Sequence, residues 1–182
     1  MSDTEQFILN TTEDMIRQGG YNGFSFRNIA DAIGIKSSSV HYHFETKEKL
    51  GAATTKRYTE NFMIALGNPE QLKADGENPV VYYISAFRNA IISEKGMCLC
   101  GILGTEANTL PDSIVTELKT FFDKNIEWLE NAYRQIGYAE NNLQNKALQT
   151  LSLLEGAMII ATTSKNLELF DLSTQLILEE VS

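Results

Sequence analysis

Apolar positions recur along the chain at helical spacing, and the pattern predicts helices nearly throughout. Phe7, Ile8, Met15 and Ile16 form the first stripe, with Asp3 or Thr4 as its cap and Gly19-Gly20 past its end. Tyr21-Asn22-Gly23 reads as a turn. Ser25 then caps a short helix from Phe26 to Ile33, with Ile29, Ala30 and Ile33 inward, and Gly34 breaks it. A third short helix runs from about Ser37 to Phe44. Thr46 caps a fourth from Lys47 to about Leu66. Gly67-Asn68-Pro69 and Gly76-Glu77-Asn78-Pro79 punctuate a polar connector. A fifth helix spans about Val80 to Ser93, and Lys95-Gly96 separates it from a sixth, about Met97 to Asn108. Pro111 sits in the first turn of a seventh, where its missing N–H costs nothing, and that helix ends at Gly137. The eighth, about Leu143 to Ser164, is apolar almost all round between Leu151 and Ala161. Such a helix must be covered on more than one side. The ninth, about Leu167 to Val181, carries Phe170, Leu172, Leu176 and Ile177. No strand pattern or internal repeat competes. The expected fold is all-α, with about nine helices.

Composition narrows the function. Hydrophobic residues make up 43% of 182, enough for a core, and no apolar run approaches a bilayer span. The acidic start, Met1 to Gln6, lacks the basic, then apolar pattern of a secretory signal, so a cytoplasmic protein is expected. Two cysteines are too few for a disulfide framework. A net charge of -9 argues against a general nucleic-acid coat, yet leaves room for a sequence-specific reader with a local cationic face. Lys36, Lys47, Lys49, Lys56 and Arg57 supply candidate cations for such a face.

The segment Gly23 to Phe44 has the grammar of a helix-turn-helix. One short helix packs through Ile29, Ala30 and Ile33. Gly34 takes a tight turn, and Ile35 plugs the corner. The next helix buries Val40 and Phe44, an i, i+4 pair. Ser38, Ser39, His41 and Tyr42 then lie on the side and front faces. They are small or hydrogen-bonding, as a helix entering the major groove requires.

With its continuation Val40-His41-Tyr42-His43-Phe44-Glu45-Thr46-Lys47-Glu48-Lys49-Leu50, this string resembles the TetR/AcrR family of repressors. The resemblance implies a three-helix DNA-binding domain, here residues 1–50. A helical ligand-binding and dimerisation domain would follow, residues 51–182, with the helix from about 47 to 66 linking the two. It implies DNA contacts from Arg27, Ser37, Ser38, Ser39, His41, Tyr42, His43 and Lys47. The expected partners are double-stranded, pseudo-palindromic operator DNA, a second copy of the chain and a small-molecule effector, with no membrane. His41 stands where the family usually has Tyr. Lys36 stands where it often has a Ser cap, so Ser37 is the alternative cap.

The remaining candidates have plain structural alternatives. His41 and His43 are two apart and point to different sides of a helix, so they cannot chelate one ion, and no metal or cofactor is expected. Cys98 and Cys100 are either two small buried hydrophobes or a thiol sensor of oxidants or electrophiles. Tyr83, Phe87, Cys98, Phe121, Phe122 and Trp128 are candidates for an effector pocket, with Arg88 or Glu106 as polar anchor; otherwise they are core. Gly156, Ala157 and Ala161 permit close helix approach, which fits a homodimer through the helices at about 143–164 and 167–181. An α-helical enzyme is the competing class, but no nucleophile–base pair, phosphate loop or His-Glu metal motif supports it. An activator, or a helical dimer that has lost operator recognition, is the other.

Overall fold

A computed structural model describes residues 2–93 and 97–181. It consists of helices α1 (Asp3–Gly19), α2 (Phe26–Ile33), α3 (Ser37–His43), α4 (Lys47–Leu66), α5 (Pro69–Ala74), α6 (Pro79–Ile92), α7 (Leu99–Thr105), α8 (Asp112–Gln135), α9 (Leu143–Ser164) and α10 (Glu168–Val181). Short 3₁₀ turns occupy Tyr21–Gly23, Ala107–Thr109 and Glu140–Asn142. No strand occurs among the described residues. No described helix is long and apolar enough to cross a membrane.

The helix starts follow side-chain capping. Ser2, rather than Asp3 or Thr4, caps α1, accepting from the Glu5 N–H at 3.3 Å. Ser25 accepts from the Asn28 N–H at 3.2 Å to open α2, and Thr46 from the Lys49 N–H at 3.1 Å to open α4. The segment expected as connector contains α5. Asn68 ends the preceding turn and also caps a new helix, its Oδ1 accepting from the N–H groups of Glu70 (2.7 Å) and Gln71 (3.3 Å), with Pro69 in the first turn. The same device opens α6 at Asn78 and Pro79. The sixth expected helix is shorter than its apolar pattern, because α7 stops at Thr105 and gives way to a 3₁₀ turn. Lys95-Gly96, expected to separate two helices, lies outside the described residues.

The chain divides into two compact units. The first comprises Met1–Asn61 and Leu99–Phe121, the second Phe62–Cys98 and Phe122–Ser182. In the first, Ile8, Leu9 and Ile16 of α1 are buried with Ile29, Val40 and Leu50, and with Leu103 and Ile114 from the later segment. Arg57 of α4 is a strut here. It bonds Asn10 Oδ1 at 2.8 Å and Glu13 Oε2 at 3.3 Å, both on α1, so it is not a spare cation for DNA. In the second unit, Tyr83 and Phe87 of α6, Leu129 and Tyr133 of α8, Leu154 and Met158 of α9 and Phe170 of α10 are all buried. Two buried tyrosine hydroxyls there are paired: Tyr133 with Thr150 at 2.6 Å, and Tyr83 donating to Asn125 Oδ1 at 2.5 Å.

Candidate functional site

The α2–turn–α3 segment is built from local rules. α2 ends at Gly34, whose φ of 71° and ψ of 32° lie in the left-handed region. A side chain there would be strained, so the glycine sets the corner. The Ile35 N–H returns to the Ala30 carbonyl at 3.0 Å and closes the turn. α3 then starts at Ser37. Lys36 occupies the cap position without a side-chain bond, and Ser37 does not cap in its place.

Helical geometry sorts the side chains of α3. Val40 is fully buried and fixes the inward direction. Ser38 and Tyr42, two residues before and two after, lie about 200° away and thus on the opposite face. Both are exposed, Tyr42 to 86%. Ser37 with His41, and Ser39 with His43, form the two flanks. His41 rests edge-on against Phe26 at 4.4 Å between ring centres, which ties α3 to α2, and His43 meets Tyr42 edge-on at 5.3 Å. Arg27 on α2 projects into solvent at 88% side-chain exposure, with a long 3.9 Å approach to Asp31. The front of this motif therefore carries one arginine, one tyrosine and a serine, all unburied.

Lys47 opens α4. Its ammonium lies over the rings of Tyr21 (4.5 Å) and Phe24 (4.8 Å). Burial lowers its pKa, and the negative charge of Glu106 opposes that shift. Lys47 thus pins the Tyr21–Gly23 turn to the start of α4. Lys49 is engaged by Glu45, whose carboxyl it holds below the usual range.

Glu106 belongs to this unit. Expected as a ligand anchor, it instead accepts from the Tyr21 N–H at 2.9 Å, across 85 residues of sequence. The contact depends on Gly20 (φ 65°, ψ -161°), where an added Cβ would land on the Glu106 carboxylate. Nearby, Ser113 donates to Glu48 Oε1 at 2.6 Å, and a Cβ on Gly51 would press against Ile114. The segment 99–121 therefore fastens the turn that precedes α2.

The effector candidates separate. Tyr83, Phe87 and Trp128 gather with Phe62 in the second unit: Tyr83 stacks at 5.3 Å on Phe87 and 5.2 Å on Trp128, and meets Phe62 edge-on. Cys98 is buried in that unit, its N–H donating to the Met158 sulfur at 3.1 Å. Phe121 belongs to the first unit, against Tyr58 at 5.7 Å, and Phe122 is half-buried. The other expected anchor, Arg88, is held by both oxygens of Asp171 at 2.6 and 2.9 Å on a part-exposed surface, so it is a link between α6 and α10.

Comparison with known proteins follows the motif and extends beyond it. The family model for bacterial regulatory proteins of the tetR family matches residues 8–54. A TetR transcriptional regulator from Legionella pneumophila is 30% identical, and the match covers 100% of this chain and 99% of that one with a TM-score of 0.89. A TetR-family regulator from Agrobacterium tumefaciens shares the fold at 24% identity and a TM-score of 0.85, over 98% of this chain and 97% of its own. The HTH-type transcriptional repressor DhaR of Mycobacterium sp. (strain GP1) is 24% identical over 121 residues. That match spans 65% of this chain and 60% of DhaR, less than two thirds of the relative.

Proposed function

We propose, from the premise that this chain belongs to the TetR family of bacterial transcriptional regulators, that it is a homodimeric, ligand-released repressor reading operator DNA with α3. The observation that carries the reading is the polarity of α3: Val40 buried on one side, Tyr42 86% exposed on the other, with exposed Arg27 contributed by α2. Arginine's planar fork suits guanine or phosphate, and the tyrosine and serine hydroxyls suit phosphate or base edges. We take residues 1–50 as the DNA-reading part, with Ser37, Ser39, His41 and His43 flanking the front face. Lys47 then acts mainly by shaping the turn behind it. The carrying domain is 51–182, and α4 joins the two.

Dimerisation supplies what one acidic protomer lacks. Two recognition helices about one DNA turn apart, ~34–36 Å, double the contacts on a pseudo-palindromic site. The exposed apolar residues that favour a second copy are Leu148, Ile159 and Ile160 on α9 and Leu172 and Leu176 on α10; Leu176 is 77% exposed. Large apolar side chains grouped on two neighbouring helices mark an association surface. An effector in the second unit would bind the conformation that does not fit DNA more tightly, and lower DNA affinity by that difference.

The pair Leu172→Glu and Leu176→Glu tests this reading. The variant is expected to sediment as a monomer, to keep its helical circular dichroism, and to lose operator affinity at least 100-fold. A dimer of wild-type strength, or a monomer with full operator affinity, would count against it.

A further inference from the structure

Glu155 on α9 is a buried carboxyl group with no role in anything described so far. Both of its carboxylate oxygens are out of solvent, and beyond the weakly donating Cys98 thiol neither has a hydrogen-bond partner among the described residues. Two turns on, Thr162 also has a buried hydroxyl without a partner. Glu155, Met158 and Thr162 stand at i, i+3 and i+7, on one side of the helix. That side faces Cys98, whose N–H donates to the Met158 sulfur at 3.1 Å. Tyr83 of α6 belongs to the same surroundings: burial pushes its hydroxyl well above its ordinary pKa, and Cys98 and Glu155 add to that rise. Its ring is the centre of the cluster with Phe87 and Trp128.

Burial without a strong donor pushes the Glu155 carboxyl up; the Cys98 side chain favours the charged form but is a weak donor, and burial outweighs it. A positively charged N–H group would supply both the missing charge and the missing donors. The rings of the Tyr83 cluster, negative at the centres of their faces, favour the same kind of guest. A neutral ligand would leave the carboxylate unpaired, and an anion would be repelled.

We propose that the second unit binds an organic cation, a protonated amine on an aromatic or alkyl body, with Glu155 as its anchor, Thr162 as a second polar contact and the Tyr83 cluster against its apolar body. This rests on the ligand-released reading above and names the ligand class. It replaces Arg88 and Glu106 as anchors with a residue from α9.

The test uses the full chain and three compounds of matched shape: 2-naphthylmethylammonium, neutral 2-naphthalenemethanol and anionic 2-naphthoate. Calorimetric titration is expected to show the ammonium binding at least tenfold tighter than the alcohol, with the carboxylate weakest. E155Q is expected to erase that preference, and T162V to weaken the ammonium severalfold. Without ligand, E155Q is expected to melt at or above the wild-type temperature, since no bond is lost. Equal binding of ammonium and alcohol, a preference that survives E155Q, or a fall in melting temperature of several degrees in E155Q would each overturn the assignment. If the alcohol or the carboxylate releases operator DNA and the ammonium does not, the cation assignment fails while the ligand-released reading stands. If none of the three binds at millimolar concentration, the site itself is rejected.

Discussion

Replacing Arg27 and Tyr42 together with alanine is expected to lower specific operator affinity on the order of a thousandfold, with the fold unchanged. Each direct contact of this type is worth about 1–3 kcal/mol, and a dimer loses four, so the sum is at least ~4 kcal/mol. The protein itself should not register the change. Both side chains are more than four-fifths exposed, and surface substitutions of that kind stay within about 0.5 kcal/mol of stability. Fluorescence anisotropy on an operator duplex, beside thermal melting of the free protein, separates the two effects. A double variant that binds within threefold of wild type would remove these residues from the interface.

The second large effect is expected far from DNA. Gly20→Ala should lower the melting temperature by roughly 6–12 °C, from about 3 kcal/mol of lost stability at ~2–4 °C per kcal/mol for a chain of this length. Two causes combine. The backbone at φ 65°, ψ -161° belongs to a region held almost only by glycine, worth about 1–3 kcal/mol of strain. The new Cβ would also displace the Glu106 carboxylate from the Tyr21 N–H, a bond to a charged acceptor worth about 1.5–3 kcal/mol. Glu106→Ala alone should cost only the second part. In the double variant Gly20→Ala should therefore cost less than it does alone, because the clash has gone. DNA affinity should fall severalfold in both single variants, since the turn carrying Tyr21 also holds Lys47. Strict additivity of the two substitutions would show that Gly20 and Glu106 are not coupled.

What the sequence made legible is local. Gly34, the caps Ser25 and Thr46, and the buried Ile29, Val40 and Phe44 each follow from neighbours within a few residues, so the helix-turn-helix was readable. The families of apolar positions also marked α9 and α10 closely. Illegible features had distant or double causes. Asn68 and Pro69 look like a helix stop, and they are one, but the same residues start α5. Lys47 was expected to face DNA. Its aromatic partners, Tyr21 and Phe24, lie 26 and 23 residues earlier, and nothing in the local pattern says that a lysine will turn back over them. Glu106 meets Tyr21 across 85 residues, which no periodicity reveals. The inclusion of residues 99–121 in the first unit has the same origin. Glu155 was hidden by its setting: the one charged residue between Leu151 and Ala161 reads as an interruption, and only the burial of both oxygens shows that it points inward.

The most direct measurement is selection of DNA binders from a random duplex library by the wild-type chain. The account predicts an enriched inverted repeat whose half-sites are centred about one helical turn apart, bound with an affinity that falls steeply as salt rises. It also predicts that the Arg27→Ala, Tyr42→Ala variant enriches nothing from the same library. A pool without a shared motif, or the same motif recovered by the double variant, would contradict the claim that α2 and α3 read operator DNA.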